Sequence, residues 1–362
     1  MNTSRETYLD RQQRALAAAA GLKLDALLVS SLPNIRYLTG FTGDNALLLI
    51  EPFQNILFTD PRFLFQAQQE SACRVRSARC PLLLDAAAWI RRRKLLRVGI
   101  ETSHLSYAQF LQLDGSLPDA FELLPTERLV ETLRTVKSPG EIDLIRHSAL
   151  LTCQALEQTI PLLRPGVTEL DIAAELVYRM RKLGASGPAF DPIVAFGPNS
   201  ALPHARPGAN QLKRKDIILI DCGAFYHGYA SDLTRVFFCG PPSSAIRKLH
   251  KAVVEAQQAS LDAARPGVRA FRVDQAARRV LRKHGLARAF LHATGHGLGL
   301  EIHEFPRLGS SERSRLEPGM AVTIEPGVYL QESGGIRIED TVVIRRNGCD
   351  VLTPTSKELV II

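Results

Sequence analysis

Asp221, Asp232, His296, Glu325 and Glu339 each stand at the end of an apolar, strand-like run in the second part of the chain. Four carboxylates and one imidazole make a donor set for two hard or borderline divalent cations bridged by oxygen ligands. Three further histidines, His204, His292 and His303, lie in polar or Gly/Pro-rich segments nearby in sequence. Gathered in one place, this much negative charge needs a cation to hold it together.

The segment DIILIDCGAFYHGYASDLTRVFF runs from Asp216 to Phe238. Its buried strand Ile217–Ile220 leads into Asp221, Tyr226-His227-Gly228 signals a turn, and Leu233–Phe238 returns. A hairpin centred between Tyr226 and His227 would set Asp221 directly opposite Asp232, with Cβ atoms about 5 Å apart. Carboxylates that close repel unless a cation, a proton or an arginine lies between them. The competing reading is a pair of structural turn aspartates. Glu325 ends the strand Ala321–Ile324 and precedes the turn pair Pro326-Gly327. In the run GIRIED, Arg337 and Glu339 share one strand face and Ile336 and Ile338 the other. A carboxylate on the inner face of an apolar strand is costly without a partner. Metal is one partner and Arg337 another, unless Arg337 holds a substrate carbonyl or carboxylate instead. A plain surface pair between Arg337 and Glu339 is the remaining alternative.

The segment LHATGHGLGLEIHE spans Leu291–Glu304. No HExxH is present, and Gly295, Gly297 and Gly299 argue against a zinc-binding helix. They let the backbone run close to a site, with His292, His296 and His303 presented from a loop and an adjoining strand. His204 ends the turn-rich loop GPNSALPH, a setting that often carries catalytic groups.

The elements that must position these residues fall into two parts. In the first, a helix over about Thr7–Ala20, strands at Asp25–Ser30, Ala46–Ile50, Ile56–Thr59, Arg74–Ser77 and Arg97–Ile100, and helices near Phe63–Glu70 and Asp85–Lys94 alternate as in an α/β layer domain. Thr126-Glu127 signals a further helix start. Ser138, Pro139 and Glu141 then read as N-cap, first turn and dipole-complementing acid of a long helix reaching about Gln158. The boundary is placed at 130, giving an N-terminal α/β domain over 1–130 and an α+β domain over 131–362. In the second part, helices near Glu169–Lys182, Ser244–Arg265 and Arg272–His284 alternate with β-rich segments. Two RPGV approaches, Arg164–Val167 and Arg265–Val268, hint at a duplicated helix-loop-helix unit.

Bulk composition narrows the class. The 362 residues are 45% hydrophobic and 23% charged, and no apolar run approaches the roughly 18 residues that span a bilayer. The first twenty residues are too charged for a signal-peptide core, so a cytoplasmic protein is expected. Six cysteines form no CxxC pair, so neither a zinc-thiolate knuckle nor a redox motif is suggested. Cys222, beside Asp221, reads as a small buried residue. The net charge of +8 is spread along the chain. Its one tight cluster, Arg91-Arg92-Arg93-Lys94, has no interleaved aromatics and ends a helix, where cations complement the dipole. Neither nucleic acid nor membrane is expected as a partner.

Taken together, the ligand order resembles the pita-bread metallopeptidase family, in its aminopeptidase P and prolidase branch. IDCGAFYHGYASDLTR, HATGHGLGLEIHE, TIEPGVY and GIRIED are similar to that family's ligand-bearing motifs. IRYLTGFTG, LFTDPRFLFQA and VKSPGEIDLIRHSA resemble its non-catalytic N-terminal domain and linker. The resemblance implies an N-terminal α/β domain of the creatinase/prolidase type and an α+β pita-bread catalytic domain. It implies hydrolysis of the Xaa-Pro bond by a metal-bridging water or hydroxide. The main reading is an Xaa-Pro aminopeptidase, the alternative an Xaa-Pro dipeptidase, and the cofactor two manganese ions, with cobalt or zinc as substitutes. By motif, Asp221 would chelate one ion, His296 and Glu325 the other, and Asp232 and Glu339 would bridge both. Glu325 would accept the proton, His292 and His303 would bind substrate and stabilise the tetrahedral intermediate, and His204 and Arg337 would act near the scissile bond. Proline-containing peptides are the implied substrates and a homodimer the implied assembly. A non-enzymatic binding protein on the same fold would have lost metal ligands, and this chain keeps all five.

Overall fold

The computed structural model describes residues 4–362. The chain divides into two units, one ending at Arg134 and one running from Thr135 to Ile362.

The first unit is a mixed six-stranded sheet in the order Arg74–Ser77, Ile56–Thr59, Ala46–Ile50, Ala26–Val29, Arg97–Glu101, Glu122–Thr126. Its three strands Ala26–Val29, Ala46–Ile50 and Ile56–Thr59 are buried throughout. Burial on both faces explains their continuous apolar runs. The helix Leu82–Arg93 packs Trp89 and Ile90 onto Leu28, Leu49 and Phe58. Two of the four cations in the basic cluster at its end are engaged: Arg93 pairs with the buried Glu51 at 3.1 Å, and Arg92 lies over Trp89. Residues 32–39 form a helix, closed by Gly40 at φ 89, a left-handed cap that glycine takes without strain. One local signal reads differently in the fold. Thr126 ends a strand instead of opening a helix, because Glu122–Thr126 pairs in parallel with Arg97–Glu101. Tertiary pairing there outweighs the local cap signal.

In the second unit, Ser138 caps Pro139–Thr159 and Pro139 stands in its first turn, as the sequence predicts. Glu141 does more than complement the dipole, since its carboxylate accepts from the Ser138 N–H and closes a reciprocal capping box. The RPGV repeat is structural. Gly166 N donates to Leu212 O and Leu212 N to Val167 O, and Gly267 N donates to Leu316 O and Leu316 N to Val268 O. Each pair of bonds joins a loop between two helices, Pro139–Thr159 with Glu169–Lys182 and Ser244–Ala263 with Ala270–Lys283, to a β-rich segment. Gly166 at φ 95 and Gly267 at φ 78 turn the two loops.

Two sheets carry the site. One orders Val360–Ile361, Leu233–Phe238, Ile217–Cys222 and Ile193–Phe196. The other orders Glu304–Leu308, Gly295–Gly297, Ala321–Ile324, Asp340–Arg345 and Gly348–Val351. Ile217–Cys222 is buried on both faces: Ile218 and Ile220 join one core with Leu176 and Leu156, while Ile217 and Leu219 join another with Val253 and Leu281. Asp221 has the parity of the second set, so an apolar strand delivers a carboxylate at its end. No helix among the described residues is long and apolar enough to cross a membrane.

Candidate metal centre

The first carboxylate pair departs from the expected register. The reversal is the two-residue turn His227-Gly228, with φ of 47 and 83, inside the pair Tyr226 and Tyr229. Positive φ at both centres is the turn whose twist suits a hairpin. The centre therefore lies one residue later than expected, and Asp221 faces Thr234, not Asp232. Because the register moves by two, Asp232 stays on the same face and sits diagonal to Asp221. The remaining ligand-type residues arrive from the second sheet. Glu325 follows Ala321–Ile324, His296 is the centre of Gly295–Gly297, and Glu339 occupies the break between Gly334–Arg337 and Asp340–Arg345. The glycines flanking His296 are required by neighbouring backbone: a Cβ on Gly295 would collide with Thr323 O and one on Gly297 with Phe305 O.

All nine sequence candidates, His204, Asp221, Asp232, His292, His296, His303, Glu325, Arg337 and Glu339, line one cavity of about 1410 Å³. One ligand atom each from Asp232, His296 and Glu339 lies within 4.8 Å of the others. His296 Nε2 is 3.6 Å from Asp232 Oδ2 and 3.4 Å from Glu325 Oε1. Arg337 pairs with Asp221, its Nη2 donating to Oδ2 at 2.6 Å, so the surface pair with Glu339 considered from sequence does not form. Nε of Arg337 donates to Thr234 Oγ1 instead, and Nη1 to Tyr329 OH.

The charges are placed at a cost. Burial, then the neighbouring Glu339, Asp221 and Glu325, push the Asp232 carboxyl well up. Burial and the same crowding raise Glu339, and burial raises Glu325. Burial works against charge on Arg337, yet the surrounding oxygens of Tyr329, Asp221, Glu325 and Glu339 hold it protonated. Burial pushes the imidazoles of His292, His296 and His303 down, so these rings are neutral near pH 7. His296 Nδ1 sits 3.0 Å from the Gly297 carbonyl. That carbonyl can only accept, so the proton is on Nδ1 and the Nε2 lone pair faces two carboxylates. Asp221 Oδ1 and Glu339 Oε1 are buried without a hydrogen-bond partner. Ligand atoms of His296, Asp232 and Glu339 meet within 4.8 Å, and Asp221 lines the same cavity. Once the carboxyls give up their protons these groups form an acceptor-only pocket, which divalent cations satisfy. The donor set fits metal.

Around this core, His292 Nε2 is 2.9 Å from Tyr329 OH and its Nδ1 is 2.8 Å from Ala293 O. The ring of His303 packs edge-on against His296, with centroids 4.4 Å apart. His204 and His303 are exposed at the cavity.

Sequence reasoning overlooked four residues. Thr234 Oγ1 donates to Glu339 Oε2 at 2.6 Å, and Thr323 Oγ1 donates to Glu325 Oε1 at 3.0 Å. Tyr329 joins His292 to Arg337. Arg307, opposite His296 in the strand register, is an exposed guanidinium on the cavity wall with no ion pair among the described residues. Parity marked two of them: Thr234 lies two residues from Asp232, and Thr323 two from Glu325.

Residues 143–346 match the Metallopeptidase family M24, and residues 11–136 match the Creatinase/Prolidase N-terminal domain. An Xaa-Pro dipeptidase of Pyrococcus horikoshii is 33% identical over 348 residues, covering 93% of this chain and 95% of its own. An uncharacterized peptidase of Bacillus subtilis is 36% identical over 342 residues, covering 94% of this chain and 97% of its own. Among solved structures, an Xaa-Pro dipeptidase from Bacillus anthracis superposes with a TM-score of 0.96 at 33% identity, covering 98% of this chain and 100% of that one. An X-Pro aminopeptidase from Thermotoga maritima gives 0.90 at 35% identity, with 98% and 100% covered.

Proposed function

Because the chain belongs to metallopeptidase family M24, with a pita-bread catalytic fold preceded in sequence by a creatinase/prolidase N-terminal domain, we propose that it is an Xaa-Pro dipeptidase. The relatives favour this reading over the aminopeptidase expected from sequence, since dipeptidases recur among them. The observation that carries it is Arg307. A dipeptide ends in a carboxylate one residue from the scissile bond, and Arg307 offers an unpaired fork on the wall of the cavity that holds His296. Such a fork matches a carboxylate in geometry and charge.

In this reading Asp221, Asp232, His296, Glu325 and Glu339 would hold the divalent metal, with Mn²⁺ as the native ion and Co²⁺ or Zn²⁺ able to replace it. Bound divalent cations supply Lewis acidity and a water that ionises near neutral pH. Arg337 fixes Asp221 through its 2.6 Å ion pair. Glu325, on the cavity wall, takes the proton of the attacking water and passes it to the departing proline nitrogen. That transfer is obligatory because the tertiary amide nitrogen leaves as an amine. The neutral His303 donates to the oxygen that gains charge in the tetrahedral species, while His292, its Nδ1–H engaged by Ala293 O and its Nε2 by the Tyr329 hydroxyl, shapes the substrate side of the cavity. His204, exposed at the rim, contacts the substrate carbonyl. The Xaa-Pro amide has no N–H for an ordinary peptidase to grip, so recognition falls on the carboxylate and the ring. Phe190, Pro192 and Ile302 on the cavity wall suit a pyrrolidine. A homodimer in the cytoplasm completes the proposal, and light scattering of the purified protein tests the assembly.

The aminopeptidase reading is favoured by one feature: the cavity extends past Ala173 and Val177 to Tyr178, more wall than a dipeptide needs. Incubation of the manganese-loaded protein with Ala-Pro and Ala-Pro-Ala separates the two. Alanine release from Ala-Pro, with little from Ala-Pro-Ala and none with Asp232→Ala, is the expected result. The reverse preference returns the chain to the aminopeptidases, and no release from either peptide sinks both.

A further inference from the structure

No residue of the helix Ala270–Lys283 lines the cavity, yet that helix grips the chain on both sides of His292. Asp274 is fully buried. Its Oδ1 accepts from Thr294 Oγ1 at 3.0 Å and shares the Thr294 N–H, at 3.2 Å, with Leu308 O. Its Oδ2 accepts from Arg278 Nε at 2.7 Å. Arg278, one turn along, reaches onward: Nη2 donates to His292 O at 2.6 Å and Nη1 to Phe290 O at 3.4 Å, with the guanidinium 4.4 Å over the Phe290 ring. The Thr294 carbonyl in turn accepts the Glu325 backbone N–H at 2.8 Å.

Residues 291–294 belong to no helix or strand, and of these four only Thr294 is held by backbone–backbone bonds, to Leu308 and Glu325, so no backbone ladder reaches His292 itself. A buried carboxylate is costly unless every oxygen is engaged, and both oxygens of Asp274 are spent on this loop and on the arginine that holds it. We propose that Asp274 and Arg278 are a positioning pair, which sets the imidazole of His292 and the backbone of Glu325 from behind the cavity. Neither residue touches substrate. They act by holding groups that do, where a displacement of about 1 Å can cost about a hundredfold in rate.

The test uses full-length, metal-loaded Arg278→Gln and Arg278→Lys. One arm reads kcat and KM on Ala-Pro and rests on the dipeptidase reading. The other reads the imidazole ¹⁵N resonances of His292 in the zinc-loaded protein and does not, so the two failures are distinguishable. In Arg278→Gln we expect kcat to fall by about tenfold to a hundredfold with KM within about threefold of the wild type. His292 should pass from a single tautomer to an averaged pair of nitrogen shifts. Arg278→Lys keeps the charge beside Asp274 but loses the fork that spans two carbonyls, so it should shift both readings the same way by less. It carries the test if the glutamine variant does not fold. A merely structural role would lower the melting temperature and leave both readings alone. A folded variant whose kcat stays within about twofold of the wild type, or whose His292 resonances are unchanged, overturns the proposal.

Discussion

Thr234 donates its hydroxyl hydrogen to Glu339 Oε2 at 2.6 Å, and the other oxygen of Glu339 is left buried without a partner. The same hydroxyl oxygen accepts from Arg337 Nε at 3.1 Å. One small side chain thus aims a carboxylate and an arginine at once. Thr234→Val keeps the shape and removes both bonds. Groups that orient metal ligands are worth about tenfold to a hundredfold in metal affinity. We expect Mn²⁺ binding, followed by calorimetric titration, to weaken by that order. Affinity equal to the wild type would show that Glu339 is aimed by its backbone alone.

Arg307 gives the substrate reading its sharpest test. Arg307→Gln leaves the fold untouched, since the side chain is exposed and unpaired among the described residues. A hydrogen bond to a charged group contributes about 1.5–3 kcal/mol, so kcat/KM on Ala-Pro should fall by roughly tenfold to a hundredfold, mostly through KM. Ala-Pro-amide, which lacks the carboxylate, should be a poor substrate for the wild type and lose little further in the variant. Equal losses on both peptides would move the carboxylate site elsewhere.

The fold and the candidate residues that share one cavity were legible because each rests on local pattern. Apolar runs ending in an acid, the helix start at Ser138-Pro139, and glycines beside His296 are all readable from neighbours in sequence. The hairpin register was not, because a His227-Gly228 turn and a Tyr226-His227 turn differ by one residue and only backbone φ distinguishes them. Asp274 and Arg278 were invisible for another reason. At i and i+4 on a helix they read as a solvated surface pair, and only the packing of residues 290–294 against that helix buries Asp274. Arg307 likewise looks like any charged residue on an edge strand until the cavity wall is known.

Tyr329 tests how His292 is used. Its hydroxyl accepts from Arg337 Nη1 at 2.6 Å and lies 2.9 Å from His292 Nε2. With the His292 proton on Nδ1 toward Ala293 O, the phenol donates to Nε2. Burial pushes that phenol up to about 12, so it remains a donor across the working pH range. Tyr329→Phe removes one neutral hydrogen bond, worth about 0.5–1.5 kcal/mol. A kcat loss of about threefold to tenfold with unchanged metal content is the expected outcome. A loss confined to KM would assign the phenol to substrate binding instead.

The charge crowding makes a prediction about pH in the metal-free protein. Burial, with Glu325 and Asp221 adding repulsion, raises the Glu339 carboxyl well above its usual range. The folded chain therefore keeps a proton there that the unfolded chain releases above about pH 4.3. With more protons bound in the folded state, stability falls as pH rises. This contribution is fully present below the unfolded value and is lost as pH climbs through the folded one. Glu339→Gln cannot ionise and lacks that loss, while the lowered histidines, which act with the opposite sign, are common to both proteins and cancel. In chelator, the melting temperature of the wild type should fall relative to Glu339→Gln as pH is raised from about 4.5 towards neutrality. Added Mn²⁺ should reverse the order at neutral pH, since it binds the folded wild type and stabilises it by mass action. A wild type that gains on the variant with rising pH in chelator would mean that the Glu339 carboxylate has a compensating positive partner, and that the acceptor-only pocket is misread.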